Sequence, residues 1–146
     1  MKISTKGHYA LRMLLDLAEH QEDGYIPLKD VAERQGISKN YLEQIMILLK
    51  NTDVLKTTRG FQGGYKLAKR PSAYTVGDII RLTEGSVSPV ACVDDADECE
   101  RSDFCLTLDV WRGLEQVITE YLDSITLQDI MDKGCSVSVK AREGTG

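Results

Sequence analysis

The sequence predicts a mainly α-helical chain with one small β-hairpin, and three observations carry that prediction. Aliphatic residues are plentiful, while Trp111 is the single tryptophan and proline occurs three times in 146 residues, a composition that favours helices over a sandwich of short strands. From Leu106 to Ile125 the residues Leu106, Val110, Trp111, Leu114, Val117, Ile118, Tyr121, Leu122 and Ile125 recur at helical spacing over about five turns. Between residues 54 and 68 the period changes, and VLKTTR and YKLA read as short strands flanking GFQGG, a glycine-rich hairpin tip. The length is that of one compact domain.

Each element follows from local chemistry. Ser4 or Thr5 caps a first helix, in which Tyr9, Met13 and Leu17 lie beside Ala10, Leu14 and Ala18 as two rows on one face, with Asp23-Gly24 as the expected stop. Pro27 introduces a short helix with Leu28, Val31 and Ala32 inward, closed by Gly36. Ser38 caps a longer one carrying Leu42, Ile45, Met46 and Leu49, so two helices meet at a tight turn. After the hairpin and Arg70-Pro71, Thr75 and Asp78 form a capping-box pattern ahead of Ile79 and Ile80, and Gly85 opens a loop. Beyond the long helix, Thr126 and Asp129 repeat that pattern before Leu127, Ile130 and Met131, with Gly134 as the stop.

A short helix, a glycine turn and a second helix have the make-up of a helix-turn-helix, in which Ala32 allows close approach and Gly36 supplies a positive backbone angle. The second helix then presents Ser38, Lys39, Asn40, Tyr41, Glu43 and Gln44 near its N-terminus, where N–H groups and the helix dipole favour phosphate and short polar side chains reach base edges. Arg59 and Gly60 stand at the rim of the hairpin, a wing whose guanidinium can enter a minor groove or bind phosphate. The bland readings are a helical pair that only packs and a solvated turn arginine. A nucleotide phosphate loop is excluded, because no Gly-Lys-Ser/Thr follows the glycines. Charge is split in the same sense: residues 1–70 carry 12 Lys/Arg against 8 Asp/Glu, and residues 71–146 carry 6 against 15. Only the front half suits a polyanion.

The chain has neither a basic-then-apolar leader nor an apolar run of about 18 residues, so a cytoplasmic protein with no membrane partner is expected. In a reducing compartment Cys92, Cys99 and Cys105 read as metal-binding or redox-active rather than disulfide-bonded, with Cys135 apart from them as an idle thiol. Their C-x6-C-x5-C spacing matches neither the usual structural zinc pairs nor the tight ferredoxin runs. Zinc, an iron-sulfur cluster and mere loop cysteines therefore all stay open on spacing alone. A redox electron carrier is the alternative of a different class, although it has no use for the wing.

Taken together, MKISTKGHYALRMLLDLA, IPLKDVAERQGISKNYLEQI, RGFQGGYKL, TVGDIIRLTEG, CLTLDVWRGL and LDSITLQDI resemble the IscR-like bacterial winged-helix transcription regulators over nearly all of residues 1 to about 132. The resemblance implies a homodimeric, non-enzymatic DNA-binding regulator, expected to repress, with Ser38 to Gln44 on the recognition helix, Arg59 to Gly64 in the wing and the long C-terminal helix as dimer contact. That helix also has its own argument for a second copy, since a small winged domain offers too little surface to cover its apolar width, and two recognition helices about a two-fold axis read an inverted repeat. The resemblance further implies that Cys92, Cys99 and Cys105 ligate an iron-sulfur cluster, 2Fe-2S in preference to 4Fe-4S, and that the targets are cluster-biogenesis genes. Relatives that repress cysteine metabolism or respond to nitric oxide supply the alternative signals.

The regulator that typifies the group continues its third cysteine with Leu-Thr-His, where this chain has Leu106-Thr107-Leu108. A fourth ligand is then expected from elsewhere, with His8 and Glu43 as candidates, Asp103 and Asp109 nearer in sequence, and His20 as a solvated residue. The expected division is a winged helix-turn-helix over 1–84, a cysteine loop over 85–105, a dimerisation helix with a short last helix over 106–133, and a loose tail over 134–146.

Overall fold

The computed structural model describes residues 3–50, 52–60, 63–88 and 106–133. Helix α1 (Thr5–Glu19) starts where Ser4 Oγ accepts the Gly7 N–H at 3.3 Å and buries Ala10, Met13, Leu14, Leu17 and Ala18, the two rows read from the sequence. It stops at Glu19, four residues short of the expected Asp23-Gly24 stop, and a single 3-10 turn (Gln21–Asp23) follows. After Ala18 the chain runs Glu-His-Gln-Glu-Asp, so no apolar row remains to hold further helical turns against the core.

Helix α2 (Leu28–Gln35) ends at Gly36 in the left-handed region with φ 65°, and Ser38 Oγ caps α3 (Lys39–Leu49) by accepting the Tyr41 N–H at 3.1 Å. The hairpin strands β1 (Leu55–Thr58) and β2 (Gly64–Leu67) are antiparallel, with Leu55 opposite Leu67 and Thr58 opposite Gly64. Ile26 extends this ribbon on its other side, exchanging two 2.9 Å backbone hydrogen bonds with Tyr65. Gly64 makes that approach possible, because a Cβ there would overlap the Ile26 backbone. The Tyr74 hydroxyl closes the base of the wing, donating to the Val54 carbonyl at 2.7 Å and accepting the Lys69 N–H at 3.0 Å. Burial raises its phenol pKa, so it stays a donor.

Helix α4 (Val76–Glu84) opens with the expected capping box, Thr75 and Asp78 each bonding the other's backbone N–H. The long amphipathic stretch forms α5 (Leu108–Asp123), which starts two residues later than Leu106, a side chain 96% exposed. Thr126 and Asp129 form the second capping box, ahead of α6 (Leu127–Lys133). Thr75 and Thr126 pair as an isolated bridge, and Leu127, fully buried, enters the same core as α1, α2 and α3. A second, smaller cluster of Val76, Ile80 and Val87 receives Ile118, Leu122 and Ile125. At the α4–α5 crossing Gly77 leaves room for the Asp123 carboxylate, which accepts from Arg81 at 2.7 Å. No helix among the described residues is long and apolar enough to cross a membrane.

Replacing Gly64 by Ala forces the Ile26 backbone away from β2. The expected cost is about 2 kcal/mol of unfolding free energy, read as a lower denaturation midpoint in urea at unchanged slope.

Candidate nucleic-acid interface

The candidate reading surface is built from α3 and the wing, and both are braced from behind by α1. Asp16, 1% exposed, accepts from Arg34 through both carboxylate oxygens at 2.7 to 3.2 Å, and from Gln35 Nε2 at 2.9 Å. The hydrogen bonds that Arg34 donates to Asp16 raise the Arg34 pKa against the opposing effect of burial. Arg12 donates to the Gln35 backbone carbonyl and, at 3.2 Å, to its Oε1. The same Arg12 lies 5.4 Å over the Tyr9 ring, which meets Tyr41 edge-on at 5.5 Å. The end of α2 and the start of α3 are thereby both held against α1.

On this frame Lys39, Asn40, Glu43 and Gln44 are exposed, and Ser38 is exposed with its oxygen engaged as cap. Tyr41 differs from the outward position expected for it: it is half-buried against Tyr9, because its place on the helix turns it toward α1. Lys39 Nζ stands 3.9 Å from Glu43 Oε1, both more than half exposed, a weak surface pair that leaves the ammonium able to meet phosphate. Arg59 and Gly60, the latter at φ 105°, are exposed at the end of β1. Between α3 and the wing runs an open groove of about 610 Å³, lined by the cations Lys29, Lys39, Lys50 and Arg59 against one carboxylate, Glu43. Lys29, Lys50 and the exposed Ile47 were not singled out by the sequence reading; their positions on the outer helix faces were the available signal.

The ligand expectations fare differently. Cys92, Cys99, Cys105, Cys135 and Asp103 lie outside the described residues, and among the described residues no group of three or more His, Cys, Asp or Glu is arranged to hold a metal. His8, Glu43 and Asp109 are all exposed, whereas Leu108 is buried. His20 is not the solvated residue expected; it is half-buried with Nδ1 2.8 Å from the Asp16 carbonyl oxygen. One turn of helix places it over that carbonyl.

A helix-turn-helix, an antiparallel wing and a cationic groove between them form a winged-helix reader. The family Rrf2, described as iron-dependent transcriptional regulator, matches residues 3–133. The chain belongs to the Rrf2 family. It is 38% identical over 143 residues to the HTH-type transcriptional regulator IscR of Yersinia enterocolitica, spanning 98% of this chain and 87% of that one. To the HTH-type transcriptional regulator CymR of Bacillus subtilis it is 40% identical over 130 residues, 89% of each chain. Among solved structures, T. potens IscR superposes with a TM-score of 0.74 at 41% identity, covering 95% of this chain and 92% of that one. The structure titled the global cysteine regulator CymR of B. subtilis superposes with a TM-score of 0.74 at 39% identity, covering 89% and 95%. As an Rrf2 member the chain is a DNA-binding transcriptional regulator, not an enzyme.

For this Rrf2 reader, Arg59→Ala is expected to weaken binding to a duplex selected by the wild-type protein about tenfold. Lys39→Ala is expected to lower the slope of log affinity against log salt by about one, the signature of one lost phosphate contact. Fluorescence anisotropy across a salt series measures both.

Proposed function

We propose that this Rrf2 chain acts as a homodimeric repressor of iron-sulfur cluster biogenesis genes, reading an inverted-repeat site through two copies of α3, with an iron-sulfur cluster on Cys92, Cys99 and Cys105 as its signal. The observation that carries the dimer is the bare face of α5. Ile118 and Leu122 pack toward α4, while Val110, Leu114, Val117 and Tyr121 are 41 to 62% exposed. Four large apolar side chains on one helix face form a patch that a second copy buries in two-fold fashion.

The cluster reading rests on the donor set and on how the segment is tied. Thiolates are the ligands that iron-sulfur clusters take, and the family is described as iron-dependent. Ser88 Oγ donates to Glu115 Oε1 at 2.8 Å, and Thr107 stands at the N-cap of α5, so the cysteine-bearing segment leaves and rejoins the fold along one helix. Those two attachments are about 12 Å apart along the helix axis. When bound, a cluster supplies a cross-link among the three thiolates. His8 and Glu43, both exposed, carry donor atoms open to act as fourth ligand, whereas the alkyl side chain of Leu108 has none. From α5 the route to DNA is short: Arg81 joins α5 to α4, and α4 contacts α1 and α3. A tenfold change in operator affinity requires about 1.4 kcal/mol of coupling along it.

The likeness to CymR favours a second reading, control of cysteine metabolism without a cluster. Anaerobic reconstitution distinguishes the two. The expected result is visible charge-transfer absorption that is lost in Cys92→Ala; a colourless protein carrying one zinc per chain overturns the cluster. Separately, Val117→Asp is expected to halve the mass seen in sedimentation equilibrium and to abolish binding to an inverted-repeat duplex, while a single-chain fold by circular dichroism is kept.

A further inference from the structure

We propose that Ile47 is a specificity-determining residue that reads a thymine through its C5-methyl group in the major groove. The inference rests on α3 being the helix that enters the groove. The side chains of Leu42, Ile45, Met46 and Leu49 fix which face of α3 is buried. At 100° per residue, the opposite face is centred on Asn40, Gln44 and Ile47, with Lys39, Glu43 and Lys50 on its wing side.

Ile47 is 70% exposed, and among the described residues it is the one large exposed hydrophobic side chain on α3. The others lie on or just before α5, on α4, or at residue 3 ahead of α1. Single exposed hydrophobics are ordinary on a surface. This one stands at the centre of a polar face that is flanked by four cations and faces a polyanion when the protein works. Burial against apolar DNA surface then becomes available to it only in the complex. In the major groove the thymine C5-methyl is the apolar group that the bases present.

The neighbours sharpen the prediction. Gln44, three residues earlier on the same face, and Asn40, a further four, carry the side-chain amides that bond adenine N6 and N7 in pairs. Asn40 to Ile47 spans about 10 Å along the axis, the length of three base-pair steps. An amide reading adenine with an aliphatic group reading a thymine methyl fits an A·T-containing step, which a polar residue at 47 would read less selectively.

Replacing thymine by uracil removes only that methyl, so it tests the contact directly. An operator duplex is selected from a random pool by the full-length wild-type protein, and each thymine of one half-site is then replaced singly by uracil. Wild-type protein is expected to lose about fourfold in affinity at one position, the worth of one buried methyl-sized group. Ile47→Ala is expected to bind the thymine duplex about as weakly as wild type binds that uracil duplex, and to ignore the replacement. Ile47→Val keeps the sensitivity. Wild-type indifference to every uracil, or a sensitivity that survives in Ile47→Ala, overturns the proposal. Failure of the wild-type protein to select any duplex overturns the placement of α3 in the groove instead, and the proposal falls with it. Since Ile47 touches little within the chain, an unchanged melting temperature for Ile47→Ala confirms that the fold is intact.

Discussion

The reading motif depends on a carboxylate that water scarcely reaches. Asp16 is buried in the middle of the fold, and a buried charge is costly unless a partner meets it with good geometry and its remaining lone pairs are used. Arg34 and Gln35 meet both conditions from the last turn of α2, where a cation also complements the helix dipole. Arg12 completes the arrangement by taking a carbonyl that the ending helix leaves without an intrahelical donor. The end of α2 is consequently fixed to α1 by directional bonds rather than by apolar contact alone. Gly36 and Ser38 then launch α3 from a point whose position and angle are already set.

Around that point the structure divides labour between backbone and side chains. The wing is attached by backbone pairing to Ile26 and by one tyrosine hydroxyl, bonds whose geometry tolerates little drift. The long helix is attached through Arg81, whose guanidinium bonds Asp123 on α5 and Asp78 on its own helix. Asp123 raises the Arg81 pKa, and against burial, which pushes it up, hydrogen bonds from Thr75 and Arg81 hold the Asp78 carboxyl below its ordinary value. These groups are partly exposed, and solvent screens them, so they orient α5 more than they stabilise it.

Much of this was legible in the sequence because it is local. Both capping boxes, the glycine between α2 and α3, the two apolar rows of α1 and the paired strands of the hairpin each depend on residues close in sequence. What escaped is long-range. The Asp16 pairing spans 18 residues and carries no local signature, and a carboxylate in an amphipathic helix reads as solvent-facing until the partner is seen. The same buried network captured His20. Tyr41 was read as outward from the polar run around it, although its ring is drawn back by Tyr9. Ile47 was legible in principle, since the buried positions of α3 already exclude it, but an apolar residue attracts no notice beside apolar neighbours.

The packing of α6 has a further consequence. Leu127 lies in one core with Ala10, Leu17 and Val31, so the first and last helices of the described chain complete each other. In chain order the cysteine-bearing stretch thus falls between two helices of a single cooperative unit, α4 and α5. Cutting the chain between α4 and α5 therefore parts helices that share one core, and neither piece keeps its full set of packing partners.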